Sequence, residues 1–465
     1  MEQFDVVVIG AGPGGYPAAI RAAQLGFSVA LIEKEALGGT CLNWGCIPTK
    51  TLIAGSSLFH AMNHSKKIGV HADHVTFDYP SMIRYKNEVV KKLRTGVTQI
   101  LKANKITIFE GTGTFISRNR ILIRNNKSGE TKINAGHTII ATGSEPVLPD
   151  FLPVNNAIMD SRAFLDTTQL PQNMIVLGGG VIGCELACMA AQLGVKVSIV
   201  EILNDILMPL DSDLRDQVRR HMEHQLKISI LTGNPLEHVK TGKHGVMGKV
   251  KGQTIDAELL LAAAGRKPVT KDLALDKAGV ETGNHGYIHI DKYCQTTSAS
   301  IYAIGDVTGG PQLAHAATAQ GLRAVENITE NRYCSANQII PSCIFTSPEI
   351  GTVGLSEQEA SQQNREIITG KFMFAACGKA VASGETTGFV KWIVDPSTDQ
   401  LIGAKAIGLH ATELIAEATL AIQSECTARG VAETIHAHPT LSEAWMEAAN
   451  DVHGQCINSI PRSKK

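Results

Sequence analysis

The chain has 465 residues, of which 43% are hydrophobic, and a formal net charge of -1 at pH 7. Its length predicts about three domains, and its near-zero charge gives no indication of a nucleic-acid partner. No run of about 18 apolar residues is present, so we expect no membrane-spanning helix. The N-terminus carries Glu2 and Asp5 and enters a strand directly, unlike a signal or transit peptide, so we expect a cytoplasmic protein.

Two of the ten cysteines lie close together in GGTCLNWGCIPTK, residues 38–50. The spacing of Cys41 and Cys46 alone allows a structural staple, a metal clip or a redox pair. Cytosolic disulfides are usually transient and catalytic. The expected compartment therefore favours a redox pair.

A duplicated segment organises the first half of the chain. Residues 6–33 (VVVIGAGPGGYPAAIRAAQLGFSVALIE) align without a gap with residues 174–201 (MIVLGGGVIGCELACMAAQLGVKVSIVE). Each copy predicts a buried strand, a glycine turn, a helix and a second strand, the unit that binds a dinucleotide.

Each glycine turn brings a pyrophosphate close to the backbone and to a helix N-terminus. The two sets of glycines are Gly10, Gly12 and Gly15, and Gly178, Gly180 and Gly183. Glu33 and Glu201 end the second strands, where an acid accepts hydrogen bonds from ribose hydroxyls. A 2′-phosphate beside Glu201 would meet like charge, so the second copy is predicted to bind NAD rather than NADP.

The remaining segments predict a helix at 90–105, short strands over 106–142 ending in ATG, and a strand at 300–307 ending near Asp306. From about residue 346 the pattern changes to antiparallel strands and helices without a nucleotide signature. An α+β domain of this kind often forms an oligomer interface.

The order of motifs GAGPGG, GGTCxNxGCxPxK, ATG, GGGxIGxE, AIGDV and HAHPTLSEA resembles the flavin-dependent pyridine nucleotide–disulfide oxidoreductases, over nearly the whole chain. The resemblance implies an α/β fold with two Rossmann-like dinucleotide-binding domains and a C-terminal α+β dimerisation domain. It implies an FAD-binding domain at 1–147, an NAD-binding domain at 148–274, a central segment at 275–345 that completes the FAD domain, and a dimerisation domain at 346–465.

The resemblance also implies the site residues. The implied catalytic residues are the disulfide pair Cys41 and Cys46, the ion pair Lys50 and Glu185, and the acid–base pair His438 and Glu443 from the other subunit of a homodimer. The implied FAD contacts are Gly10, Gly12, Gly15, Glu33, Thr40, Lys50, Ala141, Thr142, Gly143, Asp306 and Ala314. The implied NAD contacts are Gly178, Gly180, Gly183, Glu201 and Gly265, and no metal is expected.

Reasoning from the residues agrees with these roles. Oxidation of a dithiol needs a disulfide acceptor, a base that generates the thiolate and a relay to NAD, which a flavin provides. Pro48 suits the first position of a helix, which would place Cys46 at a helix N-terminus and lower its pKa. Cys46 is therefore the predicted flavin-proximal thiolate, and Cys41 the predicted sulfur that exchanges with substrate.

The segment 436–444, together with Glu201 and the intact cysteine pair, resembles the branch of the family that oxidises protein-bound dihydrolipoyl groups with NAD. That branch implies partners in the lipoyl domains and the acyltransferase core of 2-oxo acid dehydrogenase complexes, with glycine cleavage complexes as further candidates. No nucleic acid or membrane is expected as a partner. Two alternatives stay open: an NAD(P)H-dependent reductase of another low-molecular-weight disulfide, and a flavin-bearing scaffold subunit.

Overall fold

The computed structural model describes residues 1–125, 129–243, 245–329 and 339–460. Within these ranges the chain forms two large sheets with parallel cores, a third large sheet that is antiparallel, and two small antiparallel sheets. The predicted fold class is therefore confirmed. None of the helices in these ranges is long and apolar enough to cross a membrane.

The first part of the chain supplies most of the first sheet and the helices around it. Its elements are β1 (Glu2–Ile9), α1 (Gly15–Gln24), β2 (Val29–Glu33), α2 (Gly39–Trp44), α3 (Cys46–Asn63), α4 (Tyr79–Ala103), β3 (Thr107–Ser117), β4 (Arg120–Asn125), β5 (Glu130–Ile140) and β6 (Ser144–Pro146). The helix predicted at 90–105 is only the second half of α4. Asp78 caps its true start by accepting a hydrogen bond from Ser81 N, a local signal that the prediction missed.

The second part of the chain repeats the strand–helix–strand unit. Its elements are β7 (Ile158–Asp160), α5 (Ser161–Asp166), β8 (Asn173–Leu177), α6 (Val181–Gln192), β9 (Lys196–Glu201), α7 (Ser212–His224), β10 (Ser229–Thr232), β11 (Glu237–Gly242), β12 (Gly245–Val250), β13 (Gln253–Ala257), β14 (Leu259–Ala262) and β15 (Arg266–Pro268). The second sheet has the parallel order β10-β9-β8-β14-β7, and β11, β12 and β13 form a small antiparallel sheet.

The two copies of the duplicated segment also pair their strands in the same register. Val6 pairs with Val29 between β1 and β2, and Met174 pairs with Val197 between β8 and β9, which are the equivalent positions of the two copies. The central parallel strands are buried on both faces, by helices on one face and mainly by strands and loops on the other, as Val- and Ile-rich parallel strands require. Both glycine turns therefore lie at the carboxyl end of a central strand, where open α/β sheets bind ligands.

The last part of the chain completes the first sheet and then forms the third. Its elements are β16 (Ile301–Ala303), α8 (Ala314–Ile328), β17 (Ser342–Ile344), β18 (Glu349–Gly354), α9 (Glu357–Gln362), β19 (Ile368–Met373), α10 (Gly378–Ala382), β20 (Gly388–Val394), β21 (Leu401–Gly408), α11 (Ala411–Gln423), α12 (Ala428–Glu433) and α13 (Glu443–Val452). β16 pairs in parallel with β5. The third sheet has the antiparallel order β17-β18-β21-β20-β19, so it begins upstream of residue 346.

The core of the third sheet contains two buried tryptophans. The rings of Trp392 on β20 and Trp445 on α13 lie 4.5 Å apart, and the Trp392 indole donates a hydrogen bond of 3.0 Å to the Trp445 carbonyl oxygen. Such pairs are stable when buried because the indole N–H is satisfied. This contact holds α13, which begins at Glu443, firmly against the sheet.

Candidate redox active site

Both glycine turns have geometry that only glycine fits. Gly10 and Gly178 have φ of 102° and 112°, and a Cβ on either would lie 2.4 Å from a backbone carbonyl oxygen. A Cβ on Gly15 or Gly183 would lie about 2 Å from the carbonyl oxygen of the first glycine of its own turn, at 1.9 and 2.1 Å. Each turn therefore brings its helix against its strand, as dinucleotide-binding units require.

The second glycine of each turn shows whether the turn has room for a cofactor. A Cβ on Gly180 would meet nothing of the protein within 4 Å, and a Cβ on Gly12 would meet only the Gly39 Cα, at 4.0 Å. Protein packing does not require glycine at these two positions. A pyrophosphate approaching the turn does require it, so both sites fit a dinucleotide.

The two acids that follow the turns are held alike. The Glu33 carboxylate accepts hydrogen bonds from the backbone N–H groups of Ala11 and Glu35, both at 2.8 Å. The Glu201 carboxylate accepts from the equivalent groups of the second copy, at 2.6 and 2.9 Å. Burial raises the pKa of Glu33, although these hydrogen bonds oppose that rise. Each carboxylate keeps lone pairs that can accept ribose hydroxyls.

The ATG segment is joined to the second half of the chain. The Thr142 hydroxyl donates to the Val269 carbonyl oxygen at 2.7 Å, and Gly143 O accepts from Val269 N at 3.0 Å. Gly265, with φ of 122°, accepts from Val147 N at 3.0 Å. Residues 141–143 and Gly265 therefore lie where the chain crosses between the two sheets, through the β6–β15 pair.

Asp306 lies in the turn Gly305–Thr308 that follows β16. Its carboxylate accepts a hydrogen bond from the Ser144 hydroxyl. Gln320, on the helix that Ala314 begins, accepts from Gly305 N at 2.6 Å and holds this turn against α8. Asp306 is thus held by Ser144 of β6, and the turn that carries it is held by Gln320 of α8.

Arg266 is a site residue that the sequence reasoning missed. Its guanidinium donates to the Ser144 hydroxyl and carbonyl oxygen, both at 2.7 Å, and lies 3.9 Å from the Asp306 carboxylate. Burial lowers the pKa of Arg266, while the negative charges of Asp306 and Cys46 oppose that change. The only local signal was a basic residue directly after Gly265, which indicates no site without its distant partners.

The segment that carries the two cysteines, residues 38–46, is called the redox loop below and packs on the first glycine turn. Gly38 N donates to Ala11 O at 2.8 Å, and a Cβ on Gly39, which has φ of 60°, would lie 2.6 Å from the Gly12 Cα. Exposed Thr40 and partly buried Cys41 follow on α2. The loop therefore places Cys41 beside the first dinucleotide site.

Cys41 and Cys46 are free thiols in contact with each other. Cys46 is exposed to solvent at its surface, although the surrounding protein atoms still raise the pKa of its thiol. The hydrogen bond from Cys41 and the positive charge of Lys50 outweigh that rise and lower the pKa to about 7. The pKa of Cys41 is raised, because its thiol donates that hydrogen bond and is buried. Cys46 begins α3 and Pro48 is its third residue rather than its first. This corrects the predicted position of Pro48, but the first turn still needs no N–H there.

Lys50 and Glu185 form an ion pair behind the thiols. Lys50 Nζ lies 2.7 Å from Glu185 Oε2 and 4.6 Å from the centroid of the Phe345 ring. Glu185 Oε1 accepts from Phe345 N at 2.9 Å. The buried Glu185 therefore joins α3, α6 and the end of β17, and it fixes the lysine at one position.

His438 and Glu443 lie together on the surface of the third sheet's domain. His438 Nδ1 is 2.8 Å from Glu443 Oε1, and Thr440 N donates to Glu443 Oε2 at 2.8 Å. The His438 side chain is 76% exposed, and in the described ranges no hydrogen bond joins it to either thiol. His436, its local competitor, has a buried side chain that contacts Glu417 at 2.7 Å.

Two family models match the chain. The model described as pyridine nucleotide-disulphide oxidoreductase matches residues 4–321, and the model for the dimerisation domain of that family matches residues 340–449. The chain belongs to the pyridine nucleotide–disulphide oxidoreductases. This confirms the predicted resemblance, the oxidoreductase class and the cofactors FAD and NAD.

Individual relatives narrow the comparison. The dihydrolipoyl dehydrogenase of Chlamydia pneumoniae is 43% identical over 462 residues, covering 99% of this chain and 100% of that protein. The dihydrolipoyl dehydrogenase of Geobacillus stearothermophilus is 40% identical, covering 99% and 98%. The crystal structure of LpdA from Mycobacterium tuberculosis superposes with a TM-score of 0.90 at 26% identity, covering 97% and 99%. The predicted branch of the family is therefore confirmed.

Proposed function

We propose that the chain oxidises protein-bound dihydrolipoyl groups to lipoyl groups and delivers the two electrons to NAD. One observation carries this proposal: two touching thiols of unequal acidity, Cys41 and Cys46, lie beside the first dinucleotide turn. The pair can be oxidised to a disulfide that accepts electrons from a dithiol. The curated relatives at 40% and 43% identity carry that activity in their names.

The reaction proceeds through two thiol–disulfide exchange steps at the cysteine pair. In the oxidised enzyme Cys41 and Cys46 form a disulfide, and a substrate thiolate attacks the Cys41 sulfur. Cys46 leaves as a thiolate, which the positive charge of Lys50 stabilises. The second substrate thiolate then attacks the substrate sulfur of the mixed disulfide, releasing Cys41 and the lipoyl disulfide. The substrate has lost two electrons and two protons, and the cysteine pair has gained the electrons.

His438 of the partner subunit serves as the base that takes the substrate proton. Its exposure and its lack of contact with the thiols of its own chain fit a residue that completes a site across an interface. The Glu443 carboxylate holds Nδ1, which leaves Nε2 to accept the proton and stabilises the imidazolium that forms. The family model for the dimerisation domain supports the homodimer.

The first site, with Glu33 and Asp306, would hold FAD, and the second, with Glu201, would hold NAD. FAD when bound supplies the relay that passes electron pairs from a dithiol to NAD. Lys50 and Arg266 place positive charge on the side of the site that contains Cys46. They thereby favour Cys46 as the thiolate on the flavin side.

The domain layout also stays a proposal. The place of β16 in the first sheet supports a central segment at 275–345 that completes the FAD domain begun at 1–147. The place of β17 in the third sheet supports moving the start of the dimerisation domain from 346 to before Ser342. The NAD domain occupies the segment between, at 148–274.

The redox pair also bears on where the protein works and with which partners. A pair that must be reduced and reoxidised suits a reducing compartment, so we place the protein in the cytoplasm. Its proposed partners are the lipoyl domains and acyltransferase core of 2-oxo acid dehydrogenase complexes, because these assemblies carry the dihydrolipoyl groups that the proposed reaction oxidises.

Steady-state rates on one preparation test the proposal. Dihydrolipoamide with NAD should give the highest kcat/KM, well above glutathione disulfide with NADH or NADPH. Faster turnover of glutathione disulfide would establish the alternative reductase. No turnover with any of these substrates, in protein that retains FAD, would establish the scaffold alternative.

A further inference from the structure

Trp44, between the two cysteines, is stacked against a residue that lies about 120 positions further along the chain, on α5. The Arg162 guanidinium carbon lies 3.8 Å from the centroid of the Trp44 ring. Trp44 is the last residue of α2, and only Gly45 separates it from Cys46. The position of the Trp44 ring is therefore transmitted through a single residue to the thiol.

Arg162 is itself held in place. Its Nη1 lies 3.0 Å from Glu35 Oε2, with the two side chains 45% and 40% exposed. The backbone N–H of Glu35 is one of the donors to the Glu33 carboxylate. Arg162 therefore connects the end of α2 to the segment whose backbone holds the Glu33 carboxylate.

The helix that carries Arg162 is fastened to α4 by a second cation. Lys86 on α4 is fully buried, and its Nζ donates to Leu165 O at 2.8 Å and to the Asp166 carboxylate at 2.7 Å. At the other end of α5, Asp160 caps the helix by accepting from Ala163 N at 2.8 Å. Asp160 ends β7 of the second sheet. Thus α5 is a fixed bridge between the second sheet and the redox loop.

We propose that Arg162 is a positioning residue for the redox pair: stacked on Trp44, it fixes the end of α2 and so the contact between Cys41 and Cys46. The inference deepens the proposed function, because it rests on these two cysteines as the working pair. Arg162 touches neither thiol and acts only through Trp44. Its loss loosens the loop, weakens the hydrogen bond that stabilises the Cys46 thiolate, and makes that thiol less acidic.

The test is the pH dependence of Cys46 alkylation in the reduced, full-length holoenzyme without substrate. Iodoacetamide is the probe, and peptide mass spectrometry locates the modified cysteine. The variants are Arg162→Ala, Arg162→Lys, Trp44→Val and the double variant of Arg162→Ala with Trp44→Val. Arg365→Ala is the matched control, because Arg365 forms a comparable half-exposed ion pair of 2.9 Å with Asp395 on the third sheet's domain.

Arg162→Ala and Trp44→Val should each move the midpoint of the alkylation profile to higher pH. The thiolate fraction at pH 6 should fall by about 2- to 5-fold, the range that a half-exposed cation–π contact controls. Arg162→Lys should lie between Arg162→Ala and wild type, because it keeps the charge. The double variant should shift no further than either single variant, since both remove one contact.

An unshifted midpoint in Arg162→Ala, as in Arg365→Ala, would overturn the positioning role. If Arg162→Ala does not fold, the midpoint in Trp44→Val decides by the same criterion. The proposed function is tested separately by the wild-type rate with dihydrolipoamide. A shifted midpoint in a protein inactive on dihydrolipoamide would overturn that function and leave the role of Arg162 intact.

Discussion

Lys50 Nζ lies 2.7 Å from Glu185 Oε2, and both charges act on the thiol of Cys46. The lysine side chain is 31% exposed and the glutamate side chain 4%. The positive charge lowers the pKa of Cys46 and the negative charge raises it. The pair therefore adds two opposing effects to the acidity of a thiol whose pKa is controlled mainly by the Cys41 hydrogen bond and by burial.

Replacing one member of this pair should move the acidity of Cys46 in a direction set by the charge removed. Lys50→Met should raise the pKa of Cys46, because a neighbouring cation is lost, and Glu185→Gln should lower it, because a neighbouring anion is lost. The alkylation rate of reduced protein against pH measures both. Shifts of the same sign in the two variants would show that reorganisation of the loop, rather than charge, controls the thiol.

A mixed dimer tests the site shared between subunits. The homodimers of Cys46→Ser and of His438→Ala should be nearly inactive in dithiol oxidation. Their heterodimer should recover one intact site, because the intact disulfide of one subunit meets the intact histidine of the other. Activity is measured after separately tagged heterodimers are purified. Recovery absent from verified heterodimers would place His438 at the disulfide of its own chain.

Glu443 should matter for the chemistry and His436 for stability. Partial burial raises the pKa of Glu443, but hydrogen bonds from Thr440 N and His438 outweigh it and lower the pKa, so the carboxylate is ionised at neutral pH. Glu443→Gln should reduce kcat by about 10²-fold, because it removes the anion that orients and charges the base. Rates are measured from pH 6 to 9.

His436→Gln is the matched control for Glu443→Gln. It breaks a buried contact with Glu417 and should lower the free energy of unfolding by about 1–3 kcal/mol, with kcat close to wild type. A large loss of kcat in His436→Gln with unchanged stability would exchange the roles of the two histidines.

Glu201→Ala should shift cofactor preference. Removal of the carboxylate takes away the acceptor for the ribose 2′-hydroxyl and the repulsion of a 2′-phosphate, so the NADP-to-NAD ratio of kcat/KM should rise by at least about 10-fold. Glu33→Ala, the equivalent change in the first copy, should leave that ratio unchanged and weaken retention of FAD. A wild-type enzyme that uses NADP as well as NAD would contradict the charge argument.

A histidine cluster should make stability depend on pH. Burial lowers the pKa of His221 on α7, as does the neighbouring His60, while Glu385 opposes them. His64 and Lys67 add positive charge around His60, and the His221 ring contacts the Ser347 hydroxyl at 3.2 Å.

Because the pKa of His221 is lower in the folded state, the unfolded state binds more protons below the ordinary histidine pKa of about 6.5. Stability is therefore complete above that pH and is lost as the pH falls through it. His221→Gln should flatten the fall in unfolding free energy between pH 7.5 and 5.5, measured with denaturant at one protein concentration. His71→Gln, at an exposed position, should keep the wild-type slope, and an equal slope in both variants would exclude His221 as the cause.

The residues that could be predicted without the family resemblance share one property: their function depends on neighbours close in sequence. The glycine turns, Glu33 and Glu201 belong to short units whose spacing alone determines the backbone path, and the structure repeats them in the same register. Cys41 and Cys46 also lie within one turn-and-helix segment. Local sequence thus determined the two dinucleotide units and the existence of a redox pair.

The tertiary structure decided the contacts between distant segments. Arg266 reaches Ser144 and, beyond it, Asp306 only because β6 pairs with β15 across the two sheets. Arg162 meets Trp44 only because α5 follows a strand of the second sheet and packs against the redox loop. Side chains so far apart in sequence carry no periodic or spacing signal, since their proximity is created by the pairing of the strands and the packing of the helices between them.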